Sequence, residues 1–358
     1  MWALNSAHAR WLILAGCMLI SSCDAPYYWQ AAQGQLDLMQ RKQPIDELLQ
    51  KESTPTKTRE ALEYLLQVRT FALTQLQLEN NGSYLDYVDL GRDYVSWNVF
   101  ATPALSMQNH TWCYPIAGCV SYRGYFDETD ARQYARQLQE EGFDTYVGGV
   151  GAYSTLGWFD DPVLSTFLQR DKLSLAALLF HELAHQVLYV QDDTEFNESF
   201  ASSVESILLE RWSQQRALES EWQHYQQMQD RQAAFTQLIL EHQQKRDSLY
   251  KSELSTEDKR QRKAELIVEL QQEYQQFKQF WQFSGYDGWI ASGLNNAQLS
   301  TVATYHGLKP GFLALYENTD QNITNFLKKS QQLATLERSL RQQRLNELAS
   351  DNIVYTQN

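Results

Sequence analysis

Beyond its first two dozen residues the chain has no run of about 20 apolar residues, the length a membrane-crossing helix needs, so the body is expected to be soluble. Positive charge is also scarce. Thirty Lys and Arg stand against 44 Asp and Glu, a net charge of −14, and no basic stripe gathers the cations. Nucleic-acid binding relies on such a stripe to neutralise phosphates, so that class of partner is not expected. Cysteine is sparse as well. Of four, Cys17 and Cys23 fall in the N-terminal segment, which leaves Cys113 and Cys119 six apart with no second pair to complete a zinc–thiolate site. In an oxidising compartment these two can close a small disulfide loop; free buried thiols are the other reading. Hydrophobic residues at 43% and aromatics at 13% still suffice for a folded core.

The N-terminus reads as a lipoprotein signal. Arg10 precedes a short apolar stretch, Trp11 to Ile20, and Ile20-Ser21-Ser22-Cys23 has the branched, small, small, Cys form of a lipobox. Leu14-Ala15-Gly16-Cys17 has the same form but leaves about six apolar residues ahead of it, where signal peptides use roughly 7–15. Cys23 is therefore the expected lipidation site, with residues 1–22 as signal peptide and a lipid, not a helix, as the membrane anchor. Loss of Arg10 with that segment deepens the net charge from −14 to −15. Asp24 resembles the inner-membrane retention signal of enteric lipoproteins, so the mature chain is expected on the inner membrane, facing the periplasm.

The chemistry concentrates in His181-Glu182-Leu183-Ala184-His185 and, thirteen residues on, Asn197-Glu198-Ser199-Phe200-Ala201. On a helix, residues four apart lie about 40° from each other, so His181 and His185 can reach one metal from consecutive turns. The flanking Leu175 to Phe180 is apolar nearly all round and should be buried, and buried imidazoles and carboxylates need partners. Catalytic zinc takes three protein ligands and keeps one position open; Glu198 is the expected third. Glu182, beside the first ligand, is placed to act as general base on a metal-polarised water. Gln191-Asp192-Asp193-Thr194 reads as a turn with Asp193 or Thr194 capping a second helix, which returns Glu198 to the histidines. Glu205 lies two turns further along the same face, as a hydrogen-bond partner for a ligand histidine or as an ordinary salt-bridged Glu.

Along the chain, residues 23–34 read as an exposed tether and 35–358 as a single domain. Within it, 35–172 form an N-terminal α/β part, 173–210 the zinc-site helices and 211–358 a helical part. Helical periodicity covers about 35–49 and 57–78, with a break at Ser53-Thr54-Pro55. Tyr94 to Phe100 and Ser121 to Phe126 have strand composition. Asp130 to Gly142 reads as a helix ending at glycine, and Tyr146 to Phe159 as a glycine-interrupted strand. Long helices follow near 212–250 and 258–282, the second opened by a capping-box-like Ser255-Thr256-Glu257-Asp258. They suit a packed hairpin or, alternatively, a polar coiled arm. Further helices are expected at 298–317 and 321–348. The fold class is α+β, mostly helical, with a small sheet and a long helical hairpin.

The HExxH and NExxA pair resembles the gluzincin clan of zinc peptidases. The whole chain resembles a bacterial family of predicted aminopeptidases, of gluzincin type and lipid-anchored. Carriers of the resemblance are Tyr27-Tyr28-Trp29-Gln30-Ala31, Gly118 to Phe126, Gly151 to Phe159, Phe180 to Gln186, Phe196 to Ala201, Asn295-Asn296-Ala297 and Val302 to Tyr305. The resemblance implies a gluzincin-like core holding one zinc ion and removal of N-terminal residues from a peptide substrate. It also implies an oxyanion donor late in the chain, for which Tyr305 is the first candidate, followed by Tyr286 and His306. Clan members place a substrate-binding edge strand upstream of the zinc helix; here that is Gly151 to Gly157, with Tyr153 and Ser154 against the peptide, or else an ordinary core strand. A Gly-x-Met-Glu-Asn exopeptidase motif is absent, which keeps a zinc endopeptidase of the cell envelope as the alternative. A non-enzymatic lipid-anchored interaction protein is the rival outside enzymes, and the intact Glu182 speaks against it.

Overall fold

The computed structural model describes residues 25–114, 118–152, 160–302 and 307–356, the last six as helix backbone only. Helix makes up 64% of the protein and the strands are short, so it is α+β with helix dominant. The largest core forms where the helix Thr56–Leu76 lays Leu62, Leu65, Val68 and Ala72 against Lys172–Val187 and Thr194–Gln215, the two motif helices. Phe71 lies 5.8 Å from Phe180 and 5.1 Å from Trp212, ring to ring, and closes that seam. On the other side Phe312, from the helix Lys309–Glu317, inserts between Phe196 and Phe200. Each such buried ring is worth about 2–3 kcal/mol, so the motif helices are held on both flanks.

A three-stranded antiparallel sheet stands apart from this core, with Ser96–Pro103 central between Arg123–Tyr125 and Phe143–Val150. The helix Glu128–Glu140 covers one face with Ala131, Ala135 and Leu138. Its start is fixed by Asp127, whose carboxylate accepts from the N–H groups of Thr129 and Asp130. Gly142 beyond its end takes φ +90°, where a side chain would be strained. A β-hairpin, Trp112–Tyr114 with Gly118–Val120, places Cys113 opposite Cys119, and a disulfide joins them.

The helices Glu219–Lys251 and Thr256–Trp281 form the long hairpin. Ser255 caps the second, its hydroxyl accepting from the Asp258 N–H at 3.1 Å. The hairpin carries its own apolar cluster, Phe235, Ile239, Leu270 and Tyr274, closed by Ile290, Leu294 and Leu299 from the chain that follows. It is therefore packed, and the polar-arm alternative does not apply.

Three expectations need correction. The stretch 23–34 is not a tether, because the helix Ala25–Gln40 begins within it and docks on the sheet. Tyr27 stacks on Tyr114 and lies beneath the Arg123 guanidinium, and Gln30 accepts from the Phe126 N–H while donating to the Gly124 carbonyl. At Gly34 a Cβ would collide with the Phe126 ring, so the approach is closer than any other residue permits. The helix expected over 35–49 stops at Gln40, because Gln43–Pro44 pairs with Asp86–Val88 and proline cannot continue a helical ladder. The late helices are also more divided than expected: Asn296–Leu299, Lys309–Glu317, Ile323–Ala334 and Arg338–Thr356.

The second motif helix is anchored at its first turn. Asp193, fully buried, accepts from the Phe196 N–H and pairs with Arg341 at 2.7 Å. Asp193→Ala removes the cap and strands a buried guanidinium, and is expected to cost about 3 kcal/mol or more, read as a lower urea midpoint. Asp193→Asn, which restores the cap but not the charge, is expected to fall between wild type and Asp193→Ala.

Candidate metal centre

Lys172–Val187 starts at Asp171, whose side chain accepts from the Ser174 N–H, and its apolar faces bury it between neighbouring helices. Leu188 to Asp193 reverses the chain, with Asp192 in the left-handed region at φ +61°. Asn197 holds this reversal shut. Its amide donates to the Val190 carbonyl at 2.7 Å, and its side-chain oxygen accepts from the Val190 N–H at 2.8 Å.

Glu198 consequently meets both histidines. Its carboxylate oxygens lie 3.2 Å from Nε2 of His181 and 3.6 Å from Nε2 of His185. One ligand atom from each of the three residues falls within a 4.8 Å cluster. Tetrahedral zinc with bonds near 2.0–2.2 Å separates its ligand atoms by about 3.3–3.6 Å, so the donor set fits a zinc ion with small adjustment. Glu205 lies on the far side of His181, its Oε2 3.2 Å from Nδ1. Nδ1 donating there leaves Nε2 as the ligand atom. The other oxygen of Glu205 accepts from the Tyr225 hydroxyl at 3.0 Å, a contribution from the long hairpin. Nδ1 of His185 has no hydrogen-bond partner among the described residues.

The two histidines titrate in opposite directions. Burial disfavours charge on both. At His181 the hydrogen bonds it donates to the Glu198 and Glu205 carboxylates outweigh it and carry the pKa up to about 10. At His185 burial prevails over the Glu198 carboxylate, helped by the neighbouring His181, and the pKa falls to about 4. Without metal, His181 therefore keeps a proton across the neutral range while His185 is neutral.

Several residues around the site escaped the sequence reading. Arg69, buried in the helix Thr56–Leu76, donates to the Ser83 carbonyl at 2.7 Å, to Asn80 at 3.0 Å and to the Asn81 carbonyl. The loop it holds grips Gln186, next to His185: Asn81 donates to the Gln186 carboxamide oxygen at 2.7 Å, and Gln186 donates to the Ser83 hydroxyl at 3.3 Å. Tyr84 follows, buried, with φ +62° and its N–H on the Asp161 carbonyl. Burial raises its pKa, and the charges of Glu182 and Asp161 raise it further, so the phenol stays protonated. Burial pushes the Lys309 pKa down, and the Glu205 charge partly offsets it. Gln186 inside the motif and the turn-forming Asn80-Asn81-Gly82-Ser83 were the available signals; a left-handed tyrosine has none.

Other expected site residues are placed differently or not at all. Tyr286 stacks on Phe235 at 3.8 Å in the hairpin's own cluster, which argues against it as oxyanion donor. Tyr153, Ser154, Tyr305, His306 and Cys23 lie outside the described residues. Around 303–306, Leu308 docks on the second motif helix, its N–H donating to the Ser199 hydroxyl at 3.2 Å. Upstream of 153–159, Phe143–Val150 pairs, among the described residues, with Ser96–Pro103 alone, and Asn295 donates to the Thr145 carbonyl on it.

A family model described as Putative aminopeptidase matches residues 26–345. The chain belongs to that family. Membership points to peptidase chemistry and covers both motif helices, the hairpin and most of the C-terminal helices. No curated protein and no solved structure matches the chain.

A test follows from the opposed histidines. Nε2 of His181 must lose its proton to bind metal, so zinc uptake should release a proton and tighten about tenfold per pH unit between pH 6 and 8. Competition with a chromogenic chelator across that range measures this, and a flat profile would contradict the protonated His181.

Proposed function

We propose that the chain is a zinc-dependent aminopeptidase of the bacterial cell envelope. The observation that carries this reading is the convergence of two imidazole Nε2 atoms on the Glu198 carboxylate, at 3.2 and 3.6 Å, with Glu182 beside the first of them. His181, His185 and Glu198 would hold the ion. Bound zinc would supply Lewis acidity towards the scissile carbonyl and make water more acidic. Glu182 takes the proton of the attacking water and delivers it to the leaving amine nitrogen. Tyr84, kept protonated by burial and by the Glu182 charge, is the candidate to orient that carboxylate. Glu205 holds the His181 tautomer. Tyr305 donates to the developing oxyanion. Tyr153 and Ser154 bind the peptide, which adds as a strand.

Cys23 carries the lipid, with Asp24 retaining the protein at the inner membrane. The Cys113–Cys119 disulfide supports an oxidising, periplasm-facing location. No helix among the described residues is long and apolar enough to cross a membrane. The missing Gly-x-Met-Glu-Asn motif favours endopeptidase action as the second reading.

Peptides with free and with blocked N-termini separate the two. Cleavage of free-amine peptides alone is expected; cleavage of blocked ones would make the enzyme an endopeptidase. Glu182→Gln should lower kcat by about 10²–10⁴-fold with zinc content unchanged. No turnover on either set, despite stoichiometric zinc, would favour an interaction protein. If the Tyr84 hydroxyl donates to Glu182 in the working enzyme, Tyr84→Phe lowers kcat roughly 10- to 100-fold, the size of a hydrogen bond to a charged group, and leaves zinc content and KM intact. Wild-type kcat in that variant would remove Tyr84 from the mechanism.

A further inference from the structure

The helix Ala25–Gln40 has two faces of opposite character. Tyr27, Gln30, Ala31, Gly34 and Leu38 are its inward, half-buried to buried side and hold it on the sheet. The exposed apolar residues are Trp29, Leu36 and Met39, at 66%, 54% and 42%, and Tyr28, 46% exposed with its ring edge-on to Tyr114. With 100° per residue these four fall within an arc of about 100°, and the exposed Ala25 and Ala32 lie inside the same arc. The result is one continuous apolar stripe along a helix whose exposed polar side chains, Gln33, Asp37 and Gln40, stand to one flank, with the half-buried Gln35 on the other. Soluble surfaces scatter such residues singly; an aligned row needs an occupant.

We propose that this stripe is a membrane-contacting face, lying in the headgroup region of the bilayer to which the protein is anchored. The inference rests on acylation of Cys23, proposed above. Only Asp24 separates Cys23 from the first residue of the helix, and two residues of extended chain reach about 7 Å at most. An acyl chain inserted at Cys23 therefore brings Tyr28 and Trp29 to the lipid surface. These residue types favour that zone, where a ring meets hydrocarbon and its polar atom meets water. The chain's net charge of −14 makes a purely electrostatic attachment to anionic lipid unfavourable, so the contact is apolar. Because the inward side of the same helix is locked to the sheet, the stripe would orient the whole protein on the membrane, where an acyl chain alone would leave it free to swivel.

The test uses the full chain, produced in a lipoprotein-processing host and reconstituted in phosphatidylethanolamine–phosphatidylglycerol vesicles that contain a diazirine-tailed phospholipid. After illumination, mass spectrometry maps the adducts and weighs the peptide bearing Cys23. Lipid adducts are expected on Tyr28, Trp29, Leu36 and Met39. They should fall severalfold in the Trp29→Ser, Leu36→Ser double variant, which alters only exposed side chains and should stay folded and acylated. Acylated protein with adducts confined to the N-terminal residue would overturn the membrane face while leaving the anchor intact. Crosslinks joining two protein copies through this helix would assign the stripe to self-association instead. A Cys23 peptide without acyl mass would overturn the anchor, and the proposal with it.

Discussion

The paired hydrogen bonds between the Asn197 side chain and the backbone of Val190 set the angle at which the second motif helix returns past the first. Every distance in the metal site inherits that angle. If the reversal opened by one helical register, Glu198 would rotate by about 100° and leave both histidines. The surrounding packing fixes the same angle independently. Asp193 ties the start of the second helix to Arg341, and Phe312 wedges between Phe196 and Phe200. A short loop with a strained Asp192 is thereby tolerated, because the apolar burial on either side exceeds the cost of one left-handed residue.

A second constraint acts on the base. The loop from Asn80 to Tyr84 carries no regular hydrogen-bond ladder of its own, and Arg69 substitutes for one by donating to two of its carbonyls and one side chain. Burying a guanidinium is costly unless its donors are satisfied, and here three groups of the loop satisfy it. Gln186 then joins loop to helix, one turn after Glu182 on the same face. The loop is thus tied to the helix that carries Glu182.

How much of this could be read from the sequence depends on how local each feature is. His181, His185 and Glu198 were legible because helical periodicity and one turn suffice to bring them together. The Ser255 cap and the two long helices were legible for the same reason. The helix at 25–40 was missed because its stability comes from Tyr27, Gln30 and Gly34 meeting residues about a hundred positions later in the chain. Tyr84 was missed because its place follows from a left-handed turn and from Arg69, neither of which leaves a pattern in the sequence. Tyr286 was misjudged because a late tyrosine was sought by order along the chain, whereas aromatic packing on Phe235 decides its position.

The hydrogen bond from Tyr225 to Glu205 has a consequence for how the protein is made. His181, His185 and Glu198 leave the ribosome close together, but Glu205 is held by a residue that follows on the next long helix. Until that helix has been made and has docked, the carboxylate beside His181 lacks its second partner. The candidate metal centre is therefore complete only after a good part of the hairpin has formed.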